Sequence, residues 1–264
     1  MINSNVRVGF IGFGNMGSAI CDGLIKAEAV DNTKIFACAN TWDKLVKATS
    51  ERGINACKSP EGVVNNADLI IVAVKPYMVR NILEPLKYSL SGKLVVSIAA
   101  GCNSQFFSEF LPDECNYIAT MPNTPVSICE GVLLCEENHT LSDEQFSAFM
   151  KIFSSIAVVE LIESKVFSAA GSISGCGPAF VAMLIEALGD AGVKYGLKRD
   201  VAYRLAAQVA SGTGALHIAT GAHPAAMKDA VCSPGGTTIR GVSALEESGF
   251  RSALIKAIDE VEGK

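Results

Sequence analysis

The sequence predicts an α/β fold, a doubly wound, mainly parallel sheet followed by an all-helical C-terminal part. Three observations predict it. Short apolar runs alternate with helix-like stretches up to about Ser164. Two of those runs, Leu69-Ile70-Ile71-Val72-Ala73-Val74 and Leu94-Val95-Val96-Ser97-Ile98, are continuously apolar, as strands covered on both faces must be. After Ser164 the strand-like runs stop and long helical patterns take over. Strand–helix–strand alternation argues for a parallel sheet with helices on both faces. The division is expected between residues 1–162 and residues 163–264.

In chain order, Val6 to Ile11 is the first strand, Lys34 to Cys38 the second and Ile54 to Ala56 a short third. The two apolar runs are the fourth and fifth. Asn116 to Met121, Gly131 to Cys135 and Val158 to Leu161 supply three more. A helix over Ser142–Phe153 opens with Ser142 and Gln145 in capping-box spacing. In the second part, Gly177-Pro178 opens a helix reaching Val193, with proline at an early helical position. Asp200 to Thr220 forms another. Its charged side chains are Asp200 and Arg204 alone, and the rest is rich in Ala, Ser and Gly. Such a helix needs cover over most of its surface, and about 100 residues offer little interior to hide it. A second copy of the chain is the expected cover, giving a homodimer.

Composition sets bounds. The chain has 264 residues, 49% hydrophobic and 19% charged, with a net charge of −5, which excludes disordered and collagen-like classes. No dense Lys/Arg run suggests nucleic acid. No run of about 18 apolar residues is free of charges or breakers, so no spanning helix is expected. Nine cysteines occur without a CxxC spacing and three histidines without an HxxxH pair, so no metal site is expected and the thiols read as reduced. The start, Met1 to Asn5, leads straight into a strand pattern without a signal peptide. A cytoplasmic location is expected.

Gly12-Phe13-Gly14-Asn15-Met16-Gly17 follows the first strand and opens a helix. In that context a GxGxxG turn lets the backbone approach a pyrophosphate, which the free N–H groups and helix dipole then hold. The second strand ends in Ala39-Asn40-Thr41, without the carboxylate that would bind the ribose hydroxyls of NAD, and Lys44 and Lys47 follow. That pattern favours NADPH, with NADH still open. Ligands of open α/β sheets lie beyond the carboxyl ends of strands. Val74-Lys75-Pro76, Ala99-Ala100-Gly101 and Asn123 in Met121-Pro122-Asn123-Thr124-Pro125 stand at such ends. The small residues leave room for a nicotinamide, and Asn123 could orient its amide. In the second part, Ser233-Pro234-Gly235-Gly236-Thr237-Thr238 reads as a glycine-rich loop opening a helix. It is either a simply capped helix start or an anion site for a small carboxylate.

These motifs, together with Ser174-Gly175-Cys176-Gly177-Pro178-Ala179, Thr220-Gly221 with His223-Pro224, and Lys228-Asp229, make the chain resemble the pyrroline-5-carboxylate reductase family along nearly its full length. The resemblance implies a Rossmann domain and a helical dimerisation domain, with dimers that assemble into rings such as decamers. It implies reduction of the cyclic imine pyrroline-5-carboxylate to proline by NAD(P)H. It also implies that Thr238 hydrogen-bonds the ring nitrogen, that Ser233, Gly236 and Thr237 hold the carboxylate through backbone groups, and that Val231 lines the ring pocket. The ring imine is readily protonated, so catalysis then consists mainly of alignment.

The chain departs from the family pattern in places. Ala119 stands for an arginine, Cys176 for a serine, Ser168 for an aspartate, Ala219 for a glutamate, and Ser59-Pro60 where an asparagine is common. A non-enzymatic or substrate-shifted paralogue is therefore the alternative. A hydroxyacid dehydrogenase fits less well, because the helix from Gly177 carries no lysine before Lys194 and alcohol oxidation needs a base there.

Overall fold

The computed structural model describes residues 6–263. The expectation about residues 1–5 therefore lies outside the described residues. The chain divides into two compact units, one ending at Gly175 and the other beginning at Cys176.

The first unit is built on an eight-stranded sheet: β1 (Val8–Ile11), β2 (Ile35–Cys38), β3 (Asn55–Ala56), β4 (Leu69–Val72), β5 (Leu94–Ser97), β6 (Asn116–Pro122), β7 (Gly131–Glu136) and β8 (Ala157–Ile162). Their order is β3-β2-β1-β4-β5-β6-β7-β8. All pairs are parallel except β6–β7. The antiparallel step is local, because only a short 3-10 turn, Thr124–Ile128, separates those two strands, too few residues for a crossover.

Strands β1, β4 and β5 are buried at every position. Their alternate side chains feed two cores, as a pleated strand requires. Val8, Phe10, Leu69, Ile71 and Val96 join one core with Ile20, Leu24, Phe149 and Phe153. Ile11, Ile70, Val72 and Val95 join the other with Val63, Val79, Leu83 and Phe107. Helices α1 (Asn15–Lys26), α2 (Trp42–Arg52), α3 (Pro60–Asn66), α4 (Pro76–Leu83), α5 (Ser104–Ser108) and α6 (Asp143–Phe153) complete the unit. The capping box expected at Ser142 is present in full, with Gln145 N donating to Ser142 Oγ and Ser142 N to Gln145 Oε1.

Helix α7 (Phe167–Lys194) corrects the sequence reading. It starts ten residues before Gly177, with Pro178 inside it rather than at its start. A proline there deprives the carbonyl four residues back, that of Ser174, of its helical donor. The amide of Asn123 replaces it: Nδ2 donates to Ser174 O at 3.0 Å. The break expected from the sequence is thus repaired by a side chain 51 positions away.

The second unit holds α8 (Arg199–Thr220), α9 (Pro224–Ala230), α10 (Thr237–Glu247) and α11 (Phe250–Glu262). Glycines let α7 and α8 approach closely. A Cβ at Gly189 would collide with the Tyr203 ring, and one at Gly192 would stand 3.0 Å from Ala202. Beyond that contact α8 is largely uncovered, with only Ala202 and Ala206 buried. Leu205, Val209, Leu216 and Ile218 are each more than half exposed. The apolar helix expected to need cover does not find it inside one copy of the chain. Residues 164–194 are long and apolar enough to cross a membrane by length and composition alone, with a mean hydropathy of 1.5 over an 18-residue stretch; the sequence reading, which looked for a run free of charges and breakers, did not single this helix out.

Candidate active site

The strand order reverses direction between β1 and β4, and the crevice that opens at such a point is where doubly wound sheets bind ligands. A cavity of about 820 Å3 lies there. Its wall contains Gly12, Phe13, Gly14, Asn15, Met16, Asn40, Thr41, Val74, Lys75, Pro76, Ala99 and Ala100, all residues the sequence singled out as cofactor candidates.

The glycines of the first turn act differently. Gly12 has φ of +94°, and a Cβ on it would stand 2.6 Å from the carbonyl oxygen of Ala73. Only glycine fits both demands. Gly14 has nothing within 4 Å of a Cβ position, which is the open approach a phosphate needs. Gly14 is the N-cap of α1 and makes no side-chain cap, so the first-turn N–H groups of Asn15, Met16 and Gly17 remain available to an anion. Gly17 is not part of the cavity wall. It is buried against Gly12 O, 2.9 Å from its Cβ position, and seats the helix on the turn.

Lys44 lines the cavity and Lys47 does not. Lys58, which the sequence did not single out, lines it too, beside Lys44 and Lys75. The carboxyl-end rule points to Lys58 when applied to the two-residue strand β3, which ends at Ala56. Pro60 joins the wall, while Ser59 caps α3 by accepting from Gly62 N. Asn123 stands apart from this wall. Its Oδ1 accepts from Val132 N at 2.9 Å while Nδ2 serves Ser174, and the residue is buried.

The loop from Ser233 to Thr238 is in the second unit. Gly235 takes φ of +69°, and Gly236 N donates to Ser233 O at 3.0 Å, which closes the turn. Gly236 is the N-cap of α10 and offers no side-chain cap. The N–H groups at the start of α10, around Thr237 and Thr238, thus keep their capacity for an anion. Ser233, Thr237, Thr238 and Val231 are all exposed. No group of three or more His, Cys, Asp or Glu able to hold a metal occurs among the described residues.

A second, smaller cavity of about 320 Å3 adjoins the first and shares Ala99 and Ala100 with it. Glu136 lies in its wall, 5% exposed, with Ser104 N donating to one carboxylate oxygen at 2.8 Å and Ser164 Oγ to the other at 2.6 Å. Sequence reasoning did not single out Glu136. As the last residue of a buried strand it gives no local signal beyond an acid at the end of an apolar run.

Both parts of the chain match known proteins. The family model for pyrroline-5-carboxylate reductase dimerisation matches residues 164–264, and that for coenzyme F420-dependent NADP oxidoreductases matches residues 7–101. The pyrroline-5-carboxylate reductase of Treponema pallidum is 42% identical, covering 96% of this chain and 97% of its own length. That of Escherichia coli is 40% identical, covering 96% and 94%. A solved structure of Plasmodium falciparum pyrroline carboxylate reductase with NADP bound superposes with a TM-score of 0.85 at 32% identity, covering 98% of this chain and 96% of the other.

Proposed function

The chain belongs to the pyrroline-5-carboxylate reductase family, and we propose that it reduces pyrroline-5-carboxylate to proline with NADPH, accepting NADH less well. The observation that carries the reading is the uncapped, glycine-shaped start of α10 in a chain that also has an uncapped, glycine-shaped start of α1. One suits a small carboxylate and the other a pyrophosphate.

Bound in the larger cavity, the reduced dinucleotide supplies a hydride. The protein's own work is alignment. Asn15 and Met16 hold the pyrophosphate through backbone N–H groups, with Gly17 seating the helix on the turn behind them. Lys44 and Lys58, with Asn40 and Thr41, receive the 2′-phosphate end. Val74, Lys75, Pro76, Ala99 and Ala100 form the nicotinamide end, and Asn123 keeps the β6–β7 turn rigid beside it. Backbone groups at Ser233, Gly236 and Thr237 take the substrate carboxylate, Val231 lines the ring pocket, and the Thr238 hydroxyl hydrogen-bonds the ring nitrogen. That bond favours the protonated imine, so the ring carbon is electrophilic when it meets the hydride.

Residues 1–162 are the dinucleotide-binding part and residues 163–264 the dimerisation and substrate part. The exposed apolar faces of α7 and α8 are covered by a second copy, and dimers assemble further into a ring such as a decamer. The enzyme works in the cytoplasm without a nucleic-acid or membrane partner, consistent with its acidic balance.

The test is Thr238→Ala. Loss of one alignment contact of about 1.4 kcal/mol lowers kcat/KM for the imine about tenfold. Unchanged kinetics would remove Thr238 from the reaction. Absence of turnover by the unaltered chain, with pyrroline-5-carboxylate or its six-membered homologue, would favour a non-enzymatic member of the family.

A further inference from the structure

The smaller cavity has an unusual wall. Among its lining residues Glu136 is the sole charged one, and it is almost wholly buried. No lysine or arginine nitrogen lies within 4.0 Å of it among the described residues. A carboxylate buried without a cation is costly, and hydrogen bonds offset only part of that cost. Ser104 N and Ser164 Oγ each donate to one oxygen, and a carboxylate has the capacity for further donors on both oxygens.

Ala119 and Ser168 both line the cavity with small side chains. Ala119 and Glu136 line the same cavity; each is the neighbour of a residue in the last pair of the β6–β7 ladder, Thr120 with Cys135. Ala119 contributes only a methyl group to that wall. Phe167 also lines the wall.

We propose that this cavity is a binding subsite for a compact organic cation, a guanidinium or primary ammonium group, held by Glu136 in a wall that Ala119 and Ser168 line with small side chains. A guanidinium can donate to both carboxylate oxygens at once. A volume of about 320 Å3 accommodates it with a short substituent. A divalent metal is disfavoured, since one carboxylate among hydroxyls is a poor donor set for it. Because Ala99 and Ala100 wall both cavities, an occupant adjoins the nicotinamide end of the larger one. The subsite does not depend on which imine the enzyme reduces.

The experiment is thermal unfolding of the full chain with methylguanidinium or methylammonium chloride in the millimolar range, against sodium chloride at equal ionic strength. At ten times its dissociation constant a bound cation raises Tm by about 3 to 6 °C, in a saturable way. Glu136→Gln, which keeps an acceptor but removes the charge, weakens that response at least about tenfold. Ala119→Arg supplies the cation from within, raises Tm without additive and abolishes the response. Should Glu136→Gln fail to fold, Ala119→Leu, a neutral plug that keeps both hydrogen bonds to Glu136, must abolish the response instead. A Tm that follows ionic strength alone, or an equal response in the Gln or Leu variant, overturns the proposal.

Discussion

Replacing Asn123 with alanine tests how a proline is tolerated inside α7. The side chain makes two buried hydrogen bonds, from Nδ2 to Ser174 O at 3.0 Å and to Oδ1 from Val132 N at 2.9 Å. Removing it orphans a carbonyl and an amide, at about 1 to 3 kcal/mol each. The expected loss is thus about 2 to 6 kcal/mol, read as a lower urea midpoint with unchanged m at fixed protein concentration. The sharper test is a cycle with Pro178→Ala. Alanine at 178 restores the N–H that Ser174 O lacks, so in that background Asn123→Ala loses only the Val132 bond. The coupling should be about 1 to 2 kcal/mol. If Asn123→Ala costs the same with Pro178 as with alanine at that position, the carbonyl of Ser174 does not depend on Asn123, and the account of the helix is wrong.

Three further outcomes are expected. Lys44→Ala and Lys58→Ala should each raise KM for NADPH about fivefold, ~1 kcal/mol for an exposed charge contact, and leave KM for NADH nearly unchanged; parallel changes for both cofactors would deny the lysines a 2′-phosphate role. Gly12→Ala forces a Cβ onto a backbone with φ of +94° and 2.6 Å from Ala73 O, so dinucleotide binding measured by fluorescence titration should be lost, with a stability cost on the order of 2 kcal/mol. Burial pushes the Cys21 and Cys135 thiols up to about 12. Both should resist alkylation at pH values around 8 until the chain unfolds. Because their folded pKa lies above the ordinary thiol value, near 9, the stability they contribute is complete below that value and is lost as pH rises toward 12. Replacing both by alanine should flatten that alkaline decline in urea midpoints.

How much of this was legible in the sequence depended on whether the deciding interaction was local. Strands β1, β4 and β5 were readable because buried parallel strands need continuous apolar runs, and the cap at Ser142 because its partner is three residues away. The phosphate turn was readable because glycines can be recognised without knowing what they touch. Lys58 was missed since β3 is only two residues long, too short to declare an end. The start of α7 was misread because the rule that proline opens helices is a local one, whereas the group that overrules it here, Asn123, arrives from another strand end. Asn123 was itself readable as a conspicuous polar residue at a ligand-binding edge, yet both ends of its amide are engaged by backbone. Glu136 and Ala119 became informative only as a pair, because the fold brings an acid from the end of β7 and a small residue of β6 into one cavity wall. Read along the chain, Ala119 is one more apolar residue of a buried strand. In the wall it shares a cavity with a nearly buried carboxylate, and only that juxtaposition makes the pair a place to look for a further ligand.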